Sequence, residues 1–193
     1  MANGLRGKRI AIVATDLVEE VELVEPRIAL EQAGAMTELI SIHSGTIQSV
    51  NHDEKAESHA VDRLIGDADA DDYDALFIPG GVGNPDRLRT DADTVSFVRA
   101  FFFAGKPIAA ICHGPWLLVE AGIVHDRTLT SWPSLQTDIR NAGGIWKDEA
   151  VVTDQGLVTS RRPDDIPAFN RKMIEEFAEG VHRRRAADIG VPV

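Results

Sequence analysis

Pro107-Ile108-Ala109-Ala110-Ile111-Cys112-His113-Gly114-Pro115-Trp116-Leu117-Leu118-Val119 is the stretch that decides how this chain folds. The apolar run before Cys112 reads as a buried strand, and the apolar run after Pro115 reads as a helix that ends near Gly122. A strand that passes straight into a helix needs a tight bend, and Gly114 and Pro115 suit one. A side chain at such a bend stands proud of the sheet, in the manner of a nucleophile elbow. Cys112 is the only cysteine in the chain. The helix N-terminus behind it, with its unpaired N–H groups and dipole, favours a thiolate. A small buried core cysteine is the plain alternative.

Outward from this stretch, strand and helix patterns alternate. Lys8 to Ala14 and Met36 to Ile42 read as strands. Val21 to Gly34 reads as a helix with Val21, Val24, Ile28 and Leu30 as its apolar positions. Residues 43 to 74 read as irregular and acidic toward their end, with short strands allowed around Ile47 and Val61. Ala75 to Ile78 is a buried strand, and Pro79 to Pro85 is a loop by composition. Helices are expected at Thr94 to Ala104, at Ser134 to Ala142, and from Ile166 to about Arg185. Val151 to Thr153 and Leu157 to Ser160 form a strand pair. Short apolar strands separated by helices imply an α/β fold, with a mainly parallel sheet covered on both faces. Ligands in such folds bind beyond the carboxyl ends of the strands. The loops at Thr15 to Glu22, Pro79 to Asp86 and Cys112 to Pro115 are therefore expected to build the site.

At 193 residues, 44% hydrophobic and 26% charged, the chain reads as one domain of a soluble protein. No apolar run is long enough to span a membrane, and residues 1–9 lack the apolar core of an export signal. A lone cysteine suits a reducing cytoplasm. The formal charge of −11 argues against nucleic-acid binding, which needs a basic footprint. The basic run His182-Arg183-Arg184-Arg185 reads as cations at a helix C-terminus rather than as a phosphate site. His43, His52, His59, His125 and His182 form no ligand-spaced pair, so no metal is expected. The acidic stretch Asp67 to Asp74 lacks the glycine turn and terminal glutamate of a calcium loop.

Three motifs give the chain a resemblance to a known family: Ala110-Ile111-Cys112-His113-Gly114-Pro115, Phe77-Ile78-Pro79-Gly80-Gly81 and Glu19-Glu20-Val21-Glu22-Leu23. A fourth is Ser160-Arg161-Arg162-Pro163-Asp164-Asp165-Ile166-Pro167-Ala168-Phe169. With these the chain resembles the DJ-1/PfpI superfamily, and within it the PfpI-like general stress proteins, over about residues 8 to 180. The resemblance implies a flavodoxin-like three-layer α/β/α sandwich with a nucleophile elbow. It implies Cys112 as nucleophile and Glu22 as the glutamate that hydrogen-bonds its sulfur. A charged carboxylate would oppose a thiolate, so Glu22 is expected to be protonated and buried.

The resemblance further implies His113 as general base or acid, completed by a carboxylate from a neighbouring subunit. The matching position is Asp86, in a loop one residue longer than the family's pattern and with a shorter acid than its usual glutamate. Gly81 and His113 would offer backbone N–H groups to an oxyanion. Glu19 would contact substrate, although first-turn acids are also simply favoured by the helix dipole, the reading preferred for Glu20. Trp132 stands where DJ-1 proper has a histidine, and PfpI-like members have an aromatic residue there. A glutamine amidotransferase would need His-x-Glu downstream, which neither His125-Asp126-Arg127 nor His182-Arg183-Arg184 supplies.

The implied activity is a cofactor-independent, cysteine-dependent hydrolase acting on methylglyoxal or glyoxal adducts of proteins, or a glyoxalase acting on methylglyoxal itself. An intracellular peptidase, and a redox sensor or chaperone-like stress protein acting through oxidation of Cys112, are the competing readings. A subunit-bridging carboxylate implies a homodimer or a larger homo-oligomer.

Overall fold

The computed structural model describes residues 4–182. In chain order the strands are β1 (Arg9–Val13), β2 (Met36–Ser41), β3 (Thr46–Asn51), β4 (Glu54–Ala60), β5 (Arg63–Leu64), β6 (Ala75–Ile78), β7 (Ile108–Ile111), β8 (Thr128–Leu129), β9 (Ile145–Trp146), β10 (Val151–Asp154) and β11 (Leu157–Ser160). The helices are α1 (Glu20–Gln32), α2 (Gly83–Leu88), α3 (Ala92–Phe103), α4 (Pro115–Glu120), α5 (Gln136–Asn141) and α6 (Ile166–Glu179). The main sheet has the order β10-β11-β7-β6-β1-β2-β5. Its strands are parallel except β10, which runs antiparallel to β11 at one edge.

Alternation along the strands divides the core into two layers. In β1, Ala11 and Val13 face one side, and Ile10 and Ile12 face the other. The first side packs on Phe97, Val98 and Phe101 of α3, Leu117 and Leu118 of α4, and Ile139 of α5. The second packs on Leu23 and Leu30 of α1 and on Phe169, Met173 and Phe177 of α6. Covering both faces explains why β6 and β7 are apolar at every position. The result is a three-layer α/β/α sandwich. No helix among the described residues is long and apolar enough to cross a membrane.

Several local expectations are corrected. The segment expected to be irregular contains the antiparallel hairpin β3–β4, which turns at His52 in the left-handed region (φ 59°). Strand β4, Glu-Lys-Ala-Glu-Ser-His-Ala, has no buried residue and hence no alternation to read. The hairpin is held by the backbone: Val50 N–H donates to Val18 O (2.9 Å) and Leu17 N–H to Gln48 O (2.8 Å). The Pro79 to Pro85 loop closes early into α2 at Gly83, because Pro85 falls in the first turn, where its missing N–H costs nothing. Helix α1 buries Glu22, Leu23, Pro26 and Leu30, while Ile28 is exposed. Its face is thus rotated from the expected one, toward the carboxyl of Glu22. Helix α6 stops at Glu179 because Gly180 turns to φ 82°. Of the basic run only His182 lies within the described residues, and it follows the helix rather than ending it.

Asn84, which no sequence signal singled out, ties the loops at the site end of the sheet. Its side chain is fully buried. Oδ1 accepts from Thr15 N–H (2.7 Å), and Nδ2 donates to Pro79 O (3.0 Å) and Gly80 O (3.1 Å). Asn84→Ala leaves three buried backbone groups without that partner and is expected to lower the unfolding free energy by about 2 kcal/mol or more. Urea denaturation measures it; an unchanged midpoint would mean that these groups find other partners.

Candidate active site

Cys112 adopts φ 60°, a conformation that costs a non-glycine residue about 1–3 kcal/mol. Three backbone hydrogen bonds hold it there. Cys112 N–H donates to Ser160 O (3.0 Å), Trp132 N–H donates to Cys112 O (2.8 Å), and Gly114 N–H donates to Ile111 O (2.9 Å). The bend turns the sulfur into a cleft of about 800 Å3 lined by Leu17, Glu19, Glu22, His52, Gly81, His113, Trp132 and Arg162, among others. The cleft lies beyond the carboxyl ends of β1, β6, β7 and β11.

The elbow differs from its expected form in two ways. Cys112 is only 7% exposed, so its sulfur forms part of the cleft floor rather than standing proud. Helix α4 has only six residues, too short to lend much dipole. The donors that face the sulfur are instead the backbone N–H groups of Gly81 and His113.

Glu22 lies fully buried beside the sulfur. Its polar neighbours are Cys112 and the backbone N–H groups of Gly80 and Gly81. Neither carboxyl oxygen makes a well-formed hydrogen bond, and no described cation pairs with the group. Burial, aided by the nearby charge of Glu19, pushes its pKa up to about 8. Burial and an ionised Glu22 push the Cys112 thiol up as well. The two acids therefore cannot both ionise readily, and the pair carries at most one negative charge near neutrality. When the sulfur holds that charge, a protonated Glu22 is the donor beside it. Gly80 makes the contact possible: a Cβ there would sit 2.6 Å from Cys112 Cβ and 2.9 Å from Ile111 O.

His113 Nδ1 stands 3.2 Å from Cys112 Sγ. The ring stacks on Trp132, with centroids 5.8 Å apart and planes at 24°, and meets Trp116 on another side at 5.5 Å. Burial lowers its pKa to about 4, so the imidazole is neutral at pH 7. Its Nε2 faces Ser134 Oγ at 3.4 Å. Asp86 sits exposed in the first turn of α2, outside the cleft lining, and makes no hydrogen bond or ion pair to His113 within this chain.

Glu19 precedes α1 but makes no side-chain cap bond. Its carboxylate accepts from His52 N–H (3.1 Å) and faces His52 Nδ1 (3.4 Å), which holds the hairpin tip at the cleft mouth. Glu20 is not a free first-turn acid: it pairs with His59 of β4 (2.8 Å) and accepts from Ser49 Oγ of β3. Sequence reasoning gave no role to His52, Asp53 or Arg162, all in the lining. The first two arrive on the hairpin, whose outer strand carries no apolar pattern. Arg162 had a signal, since it lies two residues beyond the carboxyl end of β11.

Residues 8–176 match the DJ-1/PfpI family. This chain belongs to that family. It is 43% identical over 169 residues to "General stress protein 18" of Bacillus subtilis (strain 168), covering 87% of this chain and 96% of that protein. It is 41% identical over 167 residues to "Putative cysteine protease YraA" of the same organism (86% and 96% covered). It is 40% identical over 168 residues to "Protein/nucleic acid deglycase 2" of Escherichia coli (strain K12), again with 86% and 96% covered. Among solved structures, Drosophila melanogaster DJ-1beta superposes with a TM-score of 0.79 at 26% identity, covering 89% of this chain and 90% of that one. The flavodoxin-like architecture of this family is thus the fold of the chain.

The raised pKa of Glu22 has a signed consequence for stability. A carboxyl near 4.5 when unfolded and near 8 when folded binds more protons in the native state between those values. Its contribution is complete below about pH 4.5 and is lost as pH rises toward 8, by on the order of a few kcal/mol. His113 acts oppositely: its lowered pKa removes stability as pH falls from about 6.5 toward 4. Comparing wild type with Glu22→Gln isolates the first effect. Wild type should lose stability relative to the variant between pH 5 and 8 in denaturant titrations; a constant difference would assign Glu22 an ordinary carboxyl.

Proposed function

We propose that this DJ-1/PfpI protein is a stress-response, cysteine-dependent hydrolase of reactive carbonyls, acting on glycated methylglyoxal or glyoxal adducts or on methylglyoxal itself. The observation that carries the reading is the grouping of Cys112 Sγ with His113 Nδ1 at 3.2 Å, two backbone N–H donors and a protonated buried acid. The sulfur bonds to the aldehyde carbon, and the carbonyl oxygen takes the negative charge toward the Gly81 and His113 N–H groups. His113 accepts the thiol proton and returns it to that oxygen, giving a hemithioacetal. Through an enediol, the C1 hydrogen passes as a proton to C2, and the hydroxyl proton passes from the C1 oxygen to the C2 oxygen. This converts the adduct to a lactoyl thioester, which water hydrolyses to lactate and free thiol. Methylglyoxal plus water thus becomes lactate with no external oxidant or reductant.

An imidazole held near 4 by burial is a weak base on its own. A carboxylate at Nε2 would stabilise the imidazolium and raise that value. The reading therefore includes a homo-oligomer in which Asp86 of the neighbouring subunit supplies this carboxylate. A lone cysteine suits work in a reducing cytoplasm. The deglycase-named relative supports this reaction class, and the general-stress-named relative supports a role in the stress response.

Incubation with methylglyoxal, following lactate enzymatically, tests the proposal. Wild type should turn over, and Cys112→Ser should fall to the rate of buffer alone. Equal rates for the two proteins, or no turnover by wild type, would overturn it. Asp86→Asn should lower kcat by about 10²-fold or more, the scale of general acid–base contributions, with little change in KM. A kcat within twofold of wild type would remove Asp86 from the mechanism.

A further inference from the structure

Far from the cleft, the end of α6 gathers three potential metal ligands. Glu176 and Glu179 lie one turn apart on the helix, and His182 follows after Gly180 has ended it. One ligand atom from each residue lies within 4.8 Å of the other two. Glu176 is 8% exposed. Its Oε2 and the Nε2 of His182 are both sealed from solvent, and neither has a hydrogen-bond partner. They face each other at 3.3 Å without the alignment of a hydrogen bond. Two ligands about 2.0–2.2 Å from a tetrahedral cation stand close to that distance from each other.

The histidine is held from behind. Its backbone N–H donates to Gly105 O (2.8 Å). Its ring lies on Gly156, where a Cβ would come within 2.7 Å of Cδ2. Two lysines of the neighbourhood are engaged elsewhere, Lys172 with Glu175 (2.7 Å) and Lys8 with Asp74 (3.2 Å). Glu179 is exposed, which leaves the outer side open for water as a fourth ligand.

We propose that Glu176, Glu179 and His182 form a binding site for a divalent cation of the zinc class. One imidazole with two carboxylates suits a borderline cation better than Mg2+ or Ca2+, which prefer all-oxygen shells. The bound ion joins the end of α6 to the segment after it, which already rests on the turns at Gly105 and Gly156. It thereby fastens α6 to the sheet edge independently of the catalytic thiol. The expectation of no metal rested on spacing between histidines; here the second and third ligands are glutamates on the preceding helix turns.

Calorimetric titration of the metal-stripped protein with ZnCl2 tests this. The expected result is one ion per chain, bound equally by wild type and Cys112→Ser. Affinity should fall at least about tenfold in Glu176→Gln and in His182→Asn, the smallest loss typical even of groups behind the ligands. Circular dichroism checks the fold of each variant. Should Glu176→Gln not fold, His182→Asn and the exposed Glu179→Gln decide in its place. A Co2+ adduct should lack a thiolate charge-transfer band. Absence of binding to wild type would make Glu176 and His182 an ordinary ion pair and overturn the proposal. So would unchanged affinity in the folded α6 variants, or binding abolished by Cys112→Ser.

Discussion

The site depends on the opposition between two buried acids, the carboxyl of Glu22 and the thiol of Cys112, each with its pKa raised by burial. Among the described residues neither group pairs with a cation, and an ionised Glu22 opposes ionisation of the thiol. Bulk apolar packing would make such a pair inert. Here Gly81 and His113 offer N–H groups to the sulfur, so a negative charge formed there has a place to settle. In its protonated form the buried carboxyl is a donor beside that charge, while its ionised form costs stability.

Backbone geometry makes this arrangement possible. A left-handed Cys112 needs three hydrogen bonds from separate parts of the chain, reaching from β11 and from Trp132. Gly80 keeps side-chain atoms out of the space between Glu22 and the sulfur, and Asn84 holds the carbonyls of Pro79 and Gly80 in place. The elements that line the cleft thus converge because parallel strands end together at one edge, the general property of doubly covered sheets. The hairpin β3–β4 then forms the mouth, tied to the first turn of α1 by Glu19–His52 and Glu20–His59.

Much of the fold was legible from local pattern. Strands β1, β2, β6, β7, β10 and β11 and helices α1, α3 and α6 coincide with apolar runs or periodicity, because burial on both faces leaves a direct compositional trace. The elbow was legible for the same reason: an apolar strand, a cysteine and a Gly-Pro pair are contiguous. Strand β4 was not, since a polar strand at the edge of a two-stranded ribbon buries nothing. Helix α2 was hidden by its own Gly, Asn and Pro. In α1 the apolar residues pointed to one face while Pro26 and a buried glutamate marked another.

Primary structure alone therefore dictated the alternating α/β order, the chemistry available at Cys112 and the family to which the chain belongs. These follow from neighbours along the chain, where burial and bend chemistry are written in consecutive residues. Folding in three dimensions decided the depth of the sulfur, the exposed place of Asp86 and the meeting of Glu176 with His182. Those outcomes depend on desolvation and on distances between groups remote in sequence or separated by a helix end, which no local pattern encodes.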